Sequence, residues 1–449
     1  KYNSKNFSND IALREKKFGI WKTKTWKQCY DEVKYISLGL IEKKVLEGNV
    51  IGLLGNNTPR WLLGEVAAQS IKCMPMGVYP DALENEIDYL VNHSKCSVFF
   101  VEDEEQADKI LSLPNSKKKI NLIVFDEEKG MNKYKDNRLI SYKNLIELGK
   151  NKDLKFPSKH ENLINKITEK DVCVLCPTSG TTANPKLAII EHGALIRHAK
   201  SYLTADPKNE KDDYVSVLPL PWIIEQKYAV AKWSICRMKV NFVEETGSML
   251  DDLREIGPTF LLLAPRVWEQ LAADIRSKIM DASFLKRFLF NTAMKLMQLN
   301  NEFLKRTFCE IILNKWLRDS LGFSYLKSAA TGGAALGPET FKFFVNIGVP
   351  LRQLYGQTEQ LGAWTIHKHN DVDFDSVGLP FSGIKLKIDK PDKEGIGEIS
   401  VKNDNTMRGY FGDKKPFLKK DWFYTGDAGY INKLGHLVVI DRMSDLSYT

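Results

Sequence analysis

The sequence predicts an α/β protein with two doubly wound, parallel-type sheets and a small antiparallel, barrel-like β-subdomain. Three observations carry this expectation. Short apolar runs alternate with amphipathic stretches over residues 49–125, the βαβ pattern of parallel strands covered on both faces. A second alternating series begins at Glu191. From Gly378 onward the pattern changes to short strands separated by turns.

The elements follow in order. Asn49–Leu54 reads as a buried strand, Asn57-Thr-Pro-Arg60 as a helix start, Trp61–Ile71 as the helix and Cys73–Val78 as the next strand. Ser97–Val101 and Leu122–Phe125 continue the strands, with a helix at Glu105–Leu113 between them. The lysine-rich stretch Asn115–Asp171 has few strong signals beyond that last strand and is expected to cross between lobes. Glu191–Leu203 reads as a helix, Tyr214–Leu218 and Phe260–Pro265 as strands, and Pro265–Leu321 as a long helical region. Tyr325–Ala330 and Leu351–Leu354 are strands; Ile384–Ile388, Gly397–Val401 and His436–Ile440 supply the β-subdomain.

Composition narrows the function classes. Hydrophobic content of 43% and charged content of 27% are ordinary for globular enzymes. No apolar run approaches the roughly 18 residues of a membrane span. The net charge of +8 is modest, and the lysines are scattered with acids nearby, so solvated faces are expected. Weak attraction to an anionic membrane stays open as a peripheral contact; nothing resembles a nucleic-acid module. Seven cysteines at irregular spacing fit a reducing intracellular compartment, cytoplasmic or organellar. The lone Cys173-x-x-Cys176 lies in an apolar strand and reads as buried thiols, and the seven histidines show no metal spacing.

The chemistry concentrates in Pro177-Thr-Ser-Gly-Thr-Thr-Ala-Asn-Pro-Lys186. Four hydroxyls, a glycine and a lysine follow the apolar run Val172–Leu175. Hydroxyls and successive backbone N–H groups can converge on phosphate oxygens, and Lys186 adds a mobile positive charge. The spacing is not that of a kinase or GTPase P-loop. A Ser/Thr-rich surface turn is the plain alternative. Tyr355-Gly-Gln-Thr-Glu359, Tyr424-Thr-Gly-Asp427 and Gly435-His-Leu-Val-Val-Ile-Asp-Arg442 follow at long spacing.

In this order the motifs resemble the core signatures of the acyl-adenylate-forming enzymes: acyl-CoA synthetases, peptide-synthetase adenylation domains and firefly luciferase. Within that superfamily the chain looks most like the long-chain fatty-acid–CoA ligases of the bubblegum-type branch. Thr25–Tyr30, Leu218–Trp222, Asp252–Pro258, Ala264–Trp268 and Asp281–Arg287 support the resemblance, which runs from about Asp10 to Asp445. It implies an adenylate-forming domain over residues 1–442, with subdomains near 1–170, 171–375 and 376–442. Residues 443–449 would begin the hinge to a small C-terminal domain lying outside this sequence.

The resemblance also implies roles. Thr178, Ser179, Gly180, Thr181, Thr182 and Lys186 would grip the β- and γ-phosphates of ATP. Glu359 would hold Mg²⁺, a hard cation suited to carboxylate and phosphate oxygens. Thr358 would bond the α-phosphate, and Tyr355 would pack on adenine beside Gly332, Gly333 and Ala334, with Gly356 in the same motif. Asp427 would accept from both ribose hydroxyls and Arg442 would support the ribose. Thr181, Lys186 and Glu359 carry the catalytic assignment, and Trp222 sits where the family places an aromatic beside the fatty-acid tunnel. A core tryptophan is the alternative for Trp222, and His192 is expected to be structural. The implied activity is ATP-dependent conversion of a fatty acid to acyl-AMP and then, with CoA, to acyl-CoA.

Four positions depart from the family pattern. Ala183 and Leu187 replace glycines of the phosphate loop, Ile224 stands where a small residue is usual, and Ser444 where the hinge has Lys or Asp. If position 183 requires φ > 0, alanine there costs on the order of 1 kcal/mol. Leu187 is expected to add bulk beside the nucleotide. Together these support a second reading: a degenerate homologue kept as a nucleotide-binding or structural subunit of a protein assembly.

Overall fold

The computed structural model describes residues 1–178, 184–296, 315–414 and 416–445. These divide into two compact units.

The first unit comprises Lys1–Lys200, Pro219–Phe242 and Asn405–Pro416. Its main sheet contains β3 (Val50–Leu54), β4 (Met74–Val78), β5 (Val98–Val101), β6 (Leu122–Phe125), β7 (Leu139–Ser141), β8 (Val172–Thr178), β9 (Lys186–Glu191) and β19 (Gly409–Tyr410). The order is β19-β9-β8-β4-β3-β5-β6-β7. From β8 to β7 every pair is parallel, whereas β9 and β19 close one edge antiparallel. All five residues of β3 are buried, so an uninterrupted apolar run is what both covered faces require. In the same unit β1 (Ile11–Lys17) pairs antiparallel with β2 (Ile20–Thr25) and parallel with β11 (Lys239–Phe242).

Helix ends in this unit follow from local chemistry. Thr25 and Gln28 form a capping box at the start of helix Trp26–Glu42. Thr58 caps helix Pro59–Ser70, with Pro59 at the first helical position, where its missing N–H is not needed. The stretch Asn115–Asp171 differs from expectation: it holds β7, a helix at Tyr142–Lys155 and another at Lys159–Ile164, all within this unit. Gly149 explains the long helix's placement. A Cβ there would stand 1.7 Å from the Tyr35 carbonyl oxygen, so only glycine lets the helix meet Trp26–Glu42 this closely. Tyr142 Oη then donates to Glu32 (2.8 Å), and Lys34 pairs with Asp153 (2.6 Å).

The second unit comprises Ser201–Leu218, Val243–Asp404 and Phe417–Thr449. Its larger sheet holds β10 (Asp213–Ser216), β12 (Phe260–Leu263), β13 (Ser328–Thr331), β14 (Leu351–Gln357), β15 (Gly362–Ile366) and β16 (Leu379–Pro380). The order is β16-β15-β14-β13-β12-β10, parallel from β10 to β14 and antiparallel at β15 and β16. Helices Pro265–Met280 and Pro338–Asn346 bring Trp268, Phe341 and Phe344 into its core, with the Trp268 and Phe344 rings 4.7 Å apart.

A smaller antiparallel sheet contains β17 (Lys385–Asp389), β18 (Gly397–Lys402), β20 (Phe423–Ile431) and β21 (Leu437–Arg442), in the order β17-β18-β20-β21. Ile399, Val401 and Leu437 pack with Trp364 of β15, which seats this sheet on the larger one. The two mixed sheets and the smaller antiparallel sheet bear out the fold class expected from the sequence. Among the described residues, no helix is long and apolar enough to cross a membrane.

Candidate active site

In the second unit the sheet topology brings two of the motifs together on Asp427. β14 delivers Tyr355, Gly356 and Gln357, and a single 3₁₀ turn, Thr358–Gln360, carries Thr358 and Glu359. β20 carries Gly426 and Asp427, and β21 places Arg442 directly across from Asp427 in the antiparallel register. The Tyr355 hydroxyl and Gln357 Nε2 both donate to Asp427 Oδ2, at 2.5 and 2.8 Å. Arg442 Nη1 lies 3.1 Å from Oδ1. The Arg442 guanidinium thus pairs with Asp427.

Asp427 is only 7% exposed, and burial raises its carboxyl pKa against the lowering effects of Tyr355, Arg442 and Gln357. Burial and the neighbouring Asp427 push the Tyr355 phenol well above its ordinary range, so Tyr355 remains a hydrogen-bond donor. Its ring meets Trp364 edge to face, with centroids 5.4 Å apart.

Gly332, Gly333 and Ala334 follow β13 directly. A Cβ on Gly332 would lie 2.3 Å from Leu354 Cδ1 and 2.9 Å from its carbonyl oxygen, so the loop's approach to β14 depends on glycine. The same loop is held further on: Gln353 Oε1 accepts from Leu336 N (2.9 Å), and its Nε2 donates to the Ser376 carbonyl (3.2 Å).

A buried polar chain that sequence reading did not find runs behind β14. His436 Nε2 lies 3.1 Å from Asp371, its Nδ1 3.1 Å from Ser376 Oγ, and Ser376 Oγ 2.9 Å from His367 Nε2. His367 Nδ1 accepts from the Gln353 backbone N–H, which fixes its tautomer. Burial lowers the His367 pKa to about 4. Distant spacing in sequence hides such a chain; only the β14–β15 and β20–β21 pairings assemble it.

In the first unit, Thr178 ends β8, and its Oγ1 donates to the Lys186 carbonyl (3.4 Å) at the start of β9. Ser179, Gly180, Thr181, Thr182 and Ala183 lie outside the described residues. Lys186 is exposed, with Nζ 4.8 Å from the centre of the Tyr410 ring, a cation–π contact from neighbouring β19. Lys186–Glu191 was not expected as a strand. Its pairing with β8 turns Leu187 inward, where it is fully buried with Met76, Leu175 and Ile87. Leu187 is therefore a core residue, and the expectation that it crowds a nucleotide is corrected. Ser444, in the second unit, is exposed and bonds Asp445 (3.0 Å).

Trp222 precedes the short helix Ile223–Glu225, half-buried, and shares a hydrogen bond with the Tyr79 hydroxyl. Ile224 is half-buried on that helix. The following seven residues, Gln226–Lys232, form a π-helix, a form often found at functional sites. They bury Gln226, Lys227 and Lys232 completely. Gln226 Nε2 donates to Glu65 Oε2 (2.9 Å) and Gln69 Nε2 to Glu65 Oε1 (3.0 Å). Burial pushes the fully enclosed Glu65 carboxyl up to about 8. Three polar side chains in apolar helical surroundings were the available signal for this cluster, and the sequence reading passed over them. Cys173 and Cys176 are buried thiols whose pKa values burial raises, and His192 is a half-buried imidazole whose pKa desolvation lowers. Among the described residues no cluster of His, Cys, Asp and Glu is arranged to hold a metal.

Known proteins share this fold. The sequence of the first 411 residues matches the model of the AMP-binding enzyme family. The chain is 29% identical to fatty acyl-CoA synthetase A of Dictyostelium discoideum, over 99% of this chain and 69% of that protein. It is 26% identical to the long-chain-fatty-acid–CoA ligase ACSBG2 of Xenopus laevis, over 99% of this chain and 62% of that one. Among solved structures, the anthranilate CoA ligase AuaEII in complex with anthranoyl-AMP superposes with a TM-score of 0.75 at 18% identity, covering 99% of this chain and 78% of that one. The o-succinylbenzoate CoA synthetase MenE of Bacillus subtilis, in complex with ATP and magnesium, gives 0.70 at 17% identity, covering 100% and 80%. The chain spans about three fifths to two thirds of the length of these sequence relatives. It belongs to the AMP-binding enzyme family, whose shared chemistry is ATP-dependent formation of an acyl-adenylate.

Proposed function

We propose that the protein activates a long-chain fatty acid with ATP, forming acyl-AMP and pyrophosphate, and that the acyl group then passes to CoA. The observation that carries this reading is the convergence of Tyr355, Gln357 and Arg442 on the buried carboxylate of Asp427. A carboxylate fixed on three sides can present its remaining lone pairs to a pair of ribose hydroxyls without reorganising. Support for the acid's class comes from the fatty acyl-CoA synthetase and long-chain ligases among the relatives.

The residues fit the groups this chemistry needs. Gly332 and Gly333 leave the loop after β13 free of side chains, and a Cβ at Gly333 would meet nothing within 4 Å, which suits a flat ring approaching backbone. Glu359 follows Thr358 in one turn, so one segment offers a hydroxyl for phosphate oxygen and a carboxylate for Mg²⁺. When bound, Mg²⁺ supplies neutralisation of the triphosphate charge. In the first unit, Lys186 offers a positive charge at the start of β9, suited to phosphate oxygens. Catalysis then rests on holding the carboxylate in line with the α-phosphorus and stabilising the charge that develops there.

The degenerate-subunit reading loses one support, because Leu187 serves the core. ATP–pyrophosphate exchange by the full-length protein over a panel of fatty acids tests the ligase reading. Exchange dependent on a long-chain acid is expected, and its absence with every acid would reject it.

A further inference from the structure

In the second unit, helix Pro265–Met280 ends in a short turn that leads into helix Phe284–Leu296. The second helix anchors itself by Phe290 and Ala293, both in the core. Its opposite face breaks the usual rule for a water-facing helix. Phe284, Leu285 and Phe288 are 77, 64 and 57% exposed, and Met280, just before the turn, is 70% exposed. Phe284 and Phe288 lie one turn apart with their rings nearly parallel, centroids 6.5 Å apart. Single exposed apolar residues need no explanation, but four large ones within nine positions form a patch.

Charge specifies what the patch fits. From residue 276 to 296 the chain carries Arg276, Lys278, Lys286, Arg287 and Lys295, all exposed, against one acid, Asp281. Lys295 falls three turns after Phe284 on the same helical face, and Arg287 borders the aromatic pair, whereas Lys286 lies toward the Phe290 side. Arg287 Nη1 also donates to the Met280 carbonyl (3.1 Å), tying the two helix ends together. Bulky apolar residues bordered by cations, on a helix containing no acid, are the pattern of a segment that rests in a headgroup layer. The rings reach the acyl boundary and the cations meet lipid phosphates.

We propose that this helix face docks the protein on an anionic lipid bilayer. The inference is independent of the acyl-activation reading, because it concerns adsorption and requires neither ATP nor a fatty acid.

Vesicle co-sedimentation of the full-length protein tests it. The vesicles are phosphatidylcholine alone or phosphatidylcholine with about one third phosphatidylserine, at low and high salt. The wild-type protein is expected to bind the anionic vesicles and to lose binding as salt rises. Phe284→Ser with Phe288→Ser should weaken partitioning roughly tenfold or more at unchanged melting temperature, since neither ring lies in the core. Arg287→Gln with Lys295→Gln should weaken it roughly fivefold per charge on anionic vesicles only. No binding to anionic vesicles overturns the proposal, as does undiminished binding by the phenylalanine variant. It is equally overturned if that variant abolishes a self-association, seen by analytical ultracentrifugation, while the wild type ignores vesicles; the face then belongs to a second copy.

Discussion

The Tyr355 hydroxyl donates a hydrogen bond to Oδ2 of Asp427, joining strands that belong to different sheets of the second unit. Tyr355→Phe removes that donor and leaves the Gln357 and Arg442 contacts in place. A hydrogen bond to a charged group contributes about 1.5–3 kcal/mol, so nucleotide affinity should fall roughly tenfold or more if the bond orients Asp427 for its ligand. Equilibrium binding of ATP to wild type and variant reads this directly; unchanged affinity would separate Tyr355 from the site.

Asp427→Ala should weaken adenosine-nucleotide binding with or without Mg²⁺, because the role proposed for the carboxylate is to accept from the ribose hydroxyls. Glu359→Gln should weaken mainly the Mg²⁺-dependent part, since it removes a charge partner for the metal. Titrations of ATP with and without Mg²⁺ distinguish the two. Equal losses under both conditions would refute the division of roles.

Leu187 is fully buried in the first unit's core, so Leu187→Ala should destabilise the fold by about 2–5 kcal/mol. Urea unfolding should show a lower midpoint with little change in slope. Unchanged stability together with tighter nucleotide binding would return Leu187 to the phosphate site.

His160 is buried against Tyr30, ring centroids 5.7 Å apart, and neither ring nitrogen has a hydrogen-bond partner. Burial, with help from Lys34, lowers its pKa to about 4 from an ordinary 6.5. The unfolded chain therefore binds more protons between these values. Stability is full above pH 6.5 and declines as pH falls toward 4, by on the order of 3 kcal/mol from this group. His160→Leu should flatten that part of the curve and raise the melting temperature at pH 5 more than at pH 7.5. An identical shift at both pH values would show that the imidazole is not held neutral by burial.

Local pattern made most of the fold legible. The apolar runs of β3, β5 and β6 are strands because both faces are covered, and such strands need no partner to be recognised. Lys186–Glu191 escaped notice because it starts with a lysine and borders a helix; its strand character comes from pairing with β8. Helix Tyr142–Lys155 was obscured by its many lysines, and Gly149 was its one clear packing mark. The site divides in the same way. Tyr355, Glu359 and Asp427 announced themselves through motif order. Gln353, His367, Ser376 and His436 did not, because their hydrogen bonds exist only once separate strands are adjacent. Glu65 and Gln226 likewise meet across 161 positions of sequence.

ATP–pyrophosphate exchange catalysed by the full-length protein tests the central claim most directly, with long-chain, medium-chain and aromatic acids compared at saturating ATP and Mg²⁺. The account predicts exchange that requires an acid, is fastest with a long-chain fatty acid, and falls at least tenfold in Asp427→Ala. Nucleotide binding without exchange for any acid would contradict it.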